Sequence, residues 1–242
     1  MTSWTGSRPR WLLAPLAPLA LLALLATGVG AQEATANDED LLERLKPAVG
    51  LTLGTTGIGV EASVRPMPQL GFRLGLATIP YSYDFDEDEV TGKAEPPSPI
   101  QRLSVDYAPL GGAFHLTAGF HRVSNGVRGS AVATDSIEFN DRDYAPQDVG
   151  RIEAEVWGRS IAPYLGFGWQ GTGGRFQVYG DLGVILTGSP GVDIRVSGVI
   201  SDDPQFQQDL EAERREIEDD LKSLWGIPHI ALGLRYRIGG GP

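Results

Sequence analysis

The chain has 242 residues, with 31 acidic against 20 basic side chains, a net charge of −11 and no cysteine. So acidic a chain repels nucleic acid, and its length fits a single domain. Without cysteine there is neither an acylation site for a lipoprotein anchor nor the disulfide framework on which many small secreted domains rely.

Residues 1–31 read as a cleavable signal peptide. Arg8 and Arg10 give a positive start, the run Trp11 to Ala26 is apolar, and small residues follow up to Ala31. That order predicts export with cleavage after Ala31. A permanent anchor would need roughly 20 apolar residues, and this run is shorter and broken by Pro15 and Pro18. Cleavage would leave 211 residues and, with Arg8 and Arg10 gone, a net charge of −13. Residues 32–46 form a polar, acidic lead-in, with one or two helical turns expected in Asp38 to Leu45.

From Pro47 the hydrophobic period becomes two, which is the strand signal, and a barrel is expected over 47–239. Val49, Leu51 and Leu53 are apolar at odd positions, whereas Ile58, Val60, Ala62 and Val64 are apolar at even ones. The phase slips across Gly54-Thr55-Thr56-Gly57, either as a tight hairpin, which makes eight strands, or as a bulge in one long strand. The alternation recurs at Leu70 to Leu76, Leu103 to Tyr107, Phe114 to Phe120, Ile161 to Trp169, Phe176 to Leu186 and Ile230 to Ile238. The opposite face carries glycines and small residues together with Glu61, Arg73, Arg102, Asp106, His115, Asp181, His229 and Arg235. A soluble sheet would need a second layer over its apolar side, and the sequence offers one helix. A closed antiparallel up-and-down transmembrane β-barrel, apolar face to lipid and charges paired in a filled lumen, accounts for both faces.

Connections alternate in length. Pro66 to Gln69, Leu110 to Gly112 and Gly171 to Gly174 are tight turns, whereas residues 86–99, 124–158 and 189–225 are long, polar and acidic. Outer-membrane barrels place short turns in the periplasm and long loops outside, so both termini are expected on the periplasmic side. The last excursion holds an amphipathic helix at about 204–224, with Asp202 or Asp203 as N-cap and Phe206, Leu210, Ile217, Leu221 and Leu224 as its apolar stripe. It is expected to rest on the barrel rim. The acidic run Asp84 to Glu89 lacks the ligand and glycine spacing of a helix-loop-helix calcium site and is expected to be a solvated loop. His115, His121 and His229 fall on the inward phase, and His115 and His121 are roughly 20 Å apart along one strand, too far to share a metal. A Ser-His-Glu lipid deacylase would need such groups on the lipid-facing side.

Ala162 to Trp169, Asp181 to Val184 with Gly188-Ser189-Pro190, and Ala231 to Arg237 resemble a poorly characterised group of proteobacterial outer-membrane proteins. That group is similar in outline to the small eight-stranded barrels of the OmpA and OmpX type. The resemblance implies an outer-membrane location, contact with the bilayer and with the barrel-assembly machinery, and no activity or cofactor. Such barrels commonly end on an aromatic residue, whereas this chain ends Tyr236-Arg237-Ile238 before Gly-Gly-Gly-Pro. The expected function is a structural, surface-interaction or envelope-maintenance role, without catalysis and with an unidentified extracellular or periplasmic partner. The alternatives are a soluble lipocalin-like ligand-binding barrel and an outer-membrane lipid-modifying enzyme.

Overall fold

The computed structural model describes residues 42–86, 90–140, 142–171 and 174–238. The expected signal peptide with its cleavage point at Ala31, the lead-in as far as residue 41, and residues 239–242 lie outside them. Residues 42–45 form a helical turn.

Strand β1 (Ala48–Gly54) turns back through Thr55-Thr56 into β2 (Gly57–Met67), and β3 (Leu70–Thr78) follows a second tight turn. Gly54 pairs directly with Gly57, so the phase slip is a two-residue hairpin and the bulge alternative is excluded. A register shift does occur further on, between Val64 and Met67. There Pro66, with no N–H to give a ladder, is accommodated.

The first long connection contains β4 (Tyr83–Asp86) and β5 (Val90–Glu95), after which β6 (Ile100–Tyr107) and β7 (Phe114–Val123) form the next hairpin of the barrel. The second contains β8 (Val127–Ala133), β9 (Ile137–Phe139), β10 (Arg142–Tyr144), the short helix α1 (Pro146–Val149) and β11 (Arg151–Trp157). Then β12 (Ile161–Gln170) and β13 (Phe176–Ile185) cross, the third connection supplies β14 (Gly191–Val196) and helix α2 (Pro204–Leu221), and β15 (Ile227–Arg237) completes the circle. Eight strands form a closed antiparallel barrel in the order β1-β15-β13-β12-β7-β6-β3-β2.

The outward face is apolar and exposed: Leu51 and Leu53 are each 63% accessible, and Leu165, Val178 and Leu232 similarly. Phe72, Tyr107, Phe114, Trp169, Phe176 and Tyr236 are exposed near the end that carries the tight turns and the termini. Such a ring of exposed aromatic side chains has the form of the belts that barrels place at a membrane boundary. Water would penalise such a surface and hydrocarbon would not, and closure of the barrel removes the open sheet edges that hydrocarbon would leave unsatisfied.

The long connections, expected as polar loops with one helix, are folded into further strands. They build a five-stranded sheet in the order β14-β11-β8-β5-β4 and a separate β9-β10 hairpin. Each strand of that sheet adjoins in sequence one of β13, β12, β7, β6 and β3, taken in the same order. The sheet therefore repeats, beyond the barrel rim, the neighbour relations of five barrel strands. Asp84 and Asp86 of the acidic run belong to β4, with Thr91 donating to Asp86 at 2.6 Å; Glu87 to Glu89 lie outside the described residues.

Helix α2 starts as its sequence dictates. Asp203 is the N-cap, its Oδ1 accepting from the Gln205 and Phe206 amides at 2.9 Å each, and Pro204 opens the first turn. The expectation that the stripe packs on the barrel rim is corrected. Phe206 and Leu210 pack with Phe139 and Val149, flanked by Ile152, Ile194 and Val196 of the surface sheet. Leu224, expected to end the stripe, lies beyond the helix and is exposed. Its end was misread because the 3.6-residue spacing runs on after the hydrogen-bonded helix has stopped.

Candidate functional site

Glu61, Arg73, Arg102, Asp106, His115, Asp181, His229 and Arg235 all lie buried inside the barrel. Period-two geometry sends them there, because each is on the strand phase opposite the lipid-facing residues. Arg73 on β3 is central and 2% exposed. Its Nη1 donates to Asp181 at 2.5 Å, and its Nη2 to Asp106 at 2.6 Å and to Thr117 at 3.1 Å. Thr117 in turn donates to Asp106 at 2.8 Å, and His115 Nε2 lies 3.1 Å from Asp181.

Glu61 forms the second node. One oxygen accepts from Arg102 and the other from Arg235 at 2.7 Å, while Arg235 also donates to Gln170 at 3.2 Å. Three arginines thus face three carboxylates with no net charge. Tyr179 lies beside this node, its ring 4.4 Å from the Arg235 guanidinium carbon and 5.8 Å from that of Arg73. Removing one member of so dehydrated a set would strand its partners' charges, so the network is fixed in place by electrostatics as well as by packing.

Toward the end with the long connections, aromatic rings replace the charges. His121, Tyr164 and His229 lie with ring centroids 5.2–5.3 Å apart in every pairing. The histidine spacing along β7 separates His115 from His121, but barrel closure brings His121 to His229 across 108 residues of sequence, which strand-by-strand reading misses. Thr55 at the first hairpin lies 3.4 Å from His229 Nδ1, and Arg102 Nη1 lies 3.4 Å from Nε2.

Glycines make room for the large inward side chains. A Cβ on Gly168 would sit 2.7 Å from Asp181 Oδ1 and 2.8 Å from His115 Nε2, and one on Gly233 would meet the Tyr179 ring at 2.2 Å. The lumen is thus filled by a charged layer and a ring layer.

Outside the barrel a second polar cluster secures α2. Asp209, 1% exposed, accepts from Tyr144 Oη at 2.6 Å, Asn140 Nδ2 at 3.0 Å and Arg142 Nη1 at 3.2 Å. These donors, the Tyr144 hydroxyl first, hold its carboxyl below the ordinary aspartate range. Burial, and then the bond to Asp209, push the Tyr144 hydroxyl up. Phe206 stacks edge-on against Phe139 and Tyr144 at 5.5 and 5.0 Å. Arg214 bridges Glu211 and Glu218 on the helix surface, and Glu218 accepts from the Val192 amide of β14 at 3.1 Å. Sequence reading missed Asp209, since one acid among many on a helix looks solvated. The only available signal was its position one residue before Leu210 of the stripe.

A scan against protein-family models and a sequence search of curated proteins find no match. Comparison with solved structures finds the fold in Acinetobacter baumannii CarO, with a TM-score of 0.53 and 23% identity over 79% of this chain and 97% of that one. A. baumannii CarO2 is similar at a TM-score of 0.52 and 20% identity, over 80% of this chain and 99% of the other. At these identities the likeness concerns the fold.

Proposed function

We propose that the chain is a bacterial outer-membrane β-barrel with a side-chain-filled lumen, which serves the envelope through its folded surface sheet in a structural or surface-interaction role. The observation that carries this reading is the inversion of polarity. Leucines, valines and aromatic residues are exposed around the barrel, while arginines, carboxylates and histidines are buried within it. A lipocalin-like carrier has the reverse arrangement, with an apolar cavity and a polar exterior. The signal-peptide pattern of residues 1–31 and the termini on the tight-turn side agree with export and with a periplasmic start and finish. Contact with the assembly machinery falls to the last strand, where Tyr236 turns outward and packs on Phe176 at 5.1 Å between ring centroids.

We propose no catalytic step. His115 and Asp181 pair inside the barrel, out of reach of lipid substrate at the outer surface. Fractionation of the native host tests the location: the protein should sediment with outer membranes and require detergent for extraction. Recovery from the soluble periplasm would overturn the reading. Lipid A profiles of wild-type and deletion strains should coincide, and a lost or gained lipid species would restore the enzymatic alternative.

A further inference from the structure

The end of the lumen that carries the tight turns is a blind vestibule. A cavity of about 170 Å³ opens there, and Arg73 of the charged layer closes its inner end. Lys46, Arg65, Arg235 and Arg237 line it, with the amides of Gln170 and Gln177, and Asp106 is the one carboxylate on its wall. Asp106 is already committed to Arg73 and Thr117. Arg235 is likewise committed to Glu61. Lys46, Arg65 and Arg237 are left over: within a chain of net charge −11, three cations without an ion pair among the described residues gather on one small concavity.

Strand phase places the two arginines toward the lumen, and Lys46 stands at its mouth. Arg65 follows Glu61 and Ser63 on β2, with its Nε 3.6 Å from where a Cβ on the inward Gly71 would lie, and Arg237 follows Arg235 on β15. Lys46, exposed and with a φ of 46° between the helical turn and β1, lines the cavity from outside the strands. All three line the cavity mouth and stand on the luminal side of the barrel wall, away from its apolar outer face. Like charges held together inside low-dielectric walls focus a positive potential that an anion relieves. Arginine forks suit oxygens arranged as in phosphate or carboxylate.

We infer that the vestibule is a binding site for a small soluble oxyanion of the phosphate or carboxylate class, seated between Arg65, Arg237 and Lys46 and unable to pass the Arg73 layer. The site stands on the cavity and its charges, so it holds whichever membrane or cellular role the barrel has.

The test uses the full-length mature chain purified in a non-ionic detergent free of phospholipid, titrated with inorganic phosphate and with acetate by isothermal calorimetry at low salt. Saturable one-site binding of at least one probe is expected, weakened as sodium chloride is raised. Arg65→Gln with Arg237→Gln should weaken it at least tenfold, while Arg128→Gln on the surface sheet leaves it unchanged. Lys46→Gln, before the first strand, covers the case in which the double variant does not fold, and should weaken binding several-fold. Repeating the titration in phosphatidylglycerol-containing micelles separates sources: unchanged affinity fits a luminal soluble anion. Absence of saturable binding, equal binding by the variants, or abolition of phosphate binding by the anionic lipid would each overturn the inference.

Discussion

Arg73 illustrates how much one side chain carries in a narrow barrel. Its guanidinium contacts Asp106, Asp181 and Thr117 while the residue is only 2% exposed. Arg73→Met should therefore leave two buried carboxylates without their counter-charge and lower stability by about 3–5 kcal/mol, read as the urea midpoint of unfolding in detergent micelles. Adding Asp181→Asn to that variant should recover part of the loss, because the residues share one network. An additive double variant would show that the two side chains act separately. Gly168→Ala should act through space alone: its Cβ would land 2.3 Å from the Gly180 carbonyl oxygen as well as against His115 and Asp181. The folded, fast-migrating band on unheated gels should be reduced. Which residues face inward was legible because a strand alternates sides with period two. Which inward residues touch was not, since strand stagger decides whether Arg73 meets Asp181, 108 positions away.

Among the elements, α2 depends on a cap, two buried apolar side chains and one carboxylate. Asp203→Ala removes the acceptor for two amides and should destabilise the helix by about 1 kcal/mol, seen as faster amide exchange over the first turn. Asp209 gives the dependence on pH. Its carboxyl is held below the ordinary value of 3.8, so its stabilising effect is complete above that value and is lost as pH falls through the lowered one. Tyr144 behaves oppositely. Its hydroxyl is held above the ordinary value of 10.0, so its contribution is complete below that value and is lost as pH rises beyond it. Protection from hydrogen exchange over 204–221, taken relative to the intrinsic rate at each pH, should be high at pH 7 and fall below about pH 4; Asp209→Ala should remove this acid dependence. The helix was legible from its stripe and cap, and the barrel strands from their period. The strands of the surface sheet were obscured by polar composition, although Ile152, Ala154 and Val156 alternate with Arg151, Glu153 and Glu155 in β11. Where one side of a strand is charged and the run is short, it reads as loop unless its partners are known.

At the scale of the whole molecule, the filled lumen predicts electrical silence. Reconstituted in planar bilayers, the protein should give no steady current, and porin-sized steps would mean that the charged layer opens in a membrane. Because three of the four connections at one end of the barrel are long and folded, protease added to intact cells should cut within 79–99, 124–160 or 186–226 and spare the tight turns, if that end faces outward. The surface sheet differs from the barrel beneath it in one respect. A barrel closes on itself, whereas the sheet ends at β4 on one side and β14 on the other. An uncovered outer strand offers donors and acceptors to a stranger's backbone, the usual route by which crowded β-proteins zip together, and at β14 helix α2 covers part of that border, with Glu218 accepting from the Val192 amide. Both borders are short and charged: β4 has four residues, among them Asp84 and Asp86, and β14 carries Asp193 and Arg195. A border that is short, charged or lidded by a helix is a poor template for another copy, so the same sheet that extends the barrel outward is built without an inviting edge.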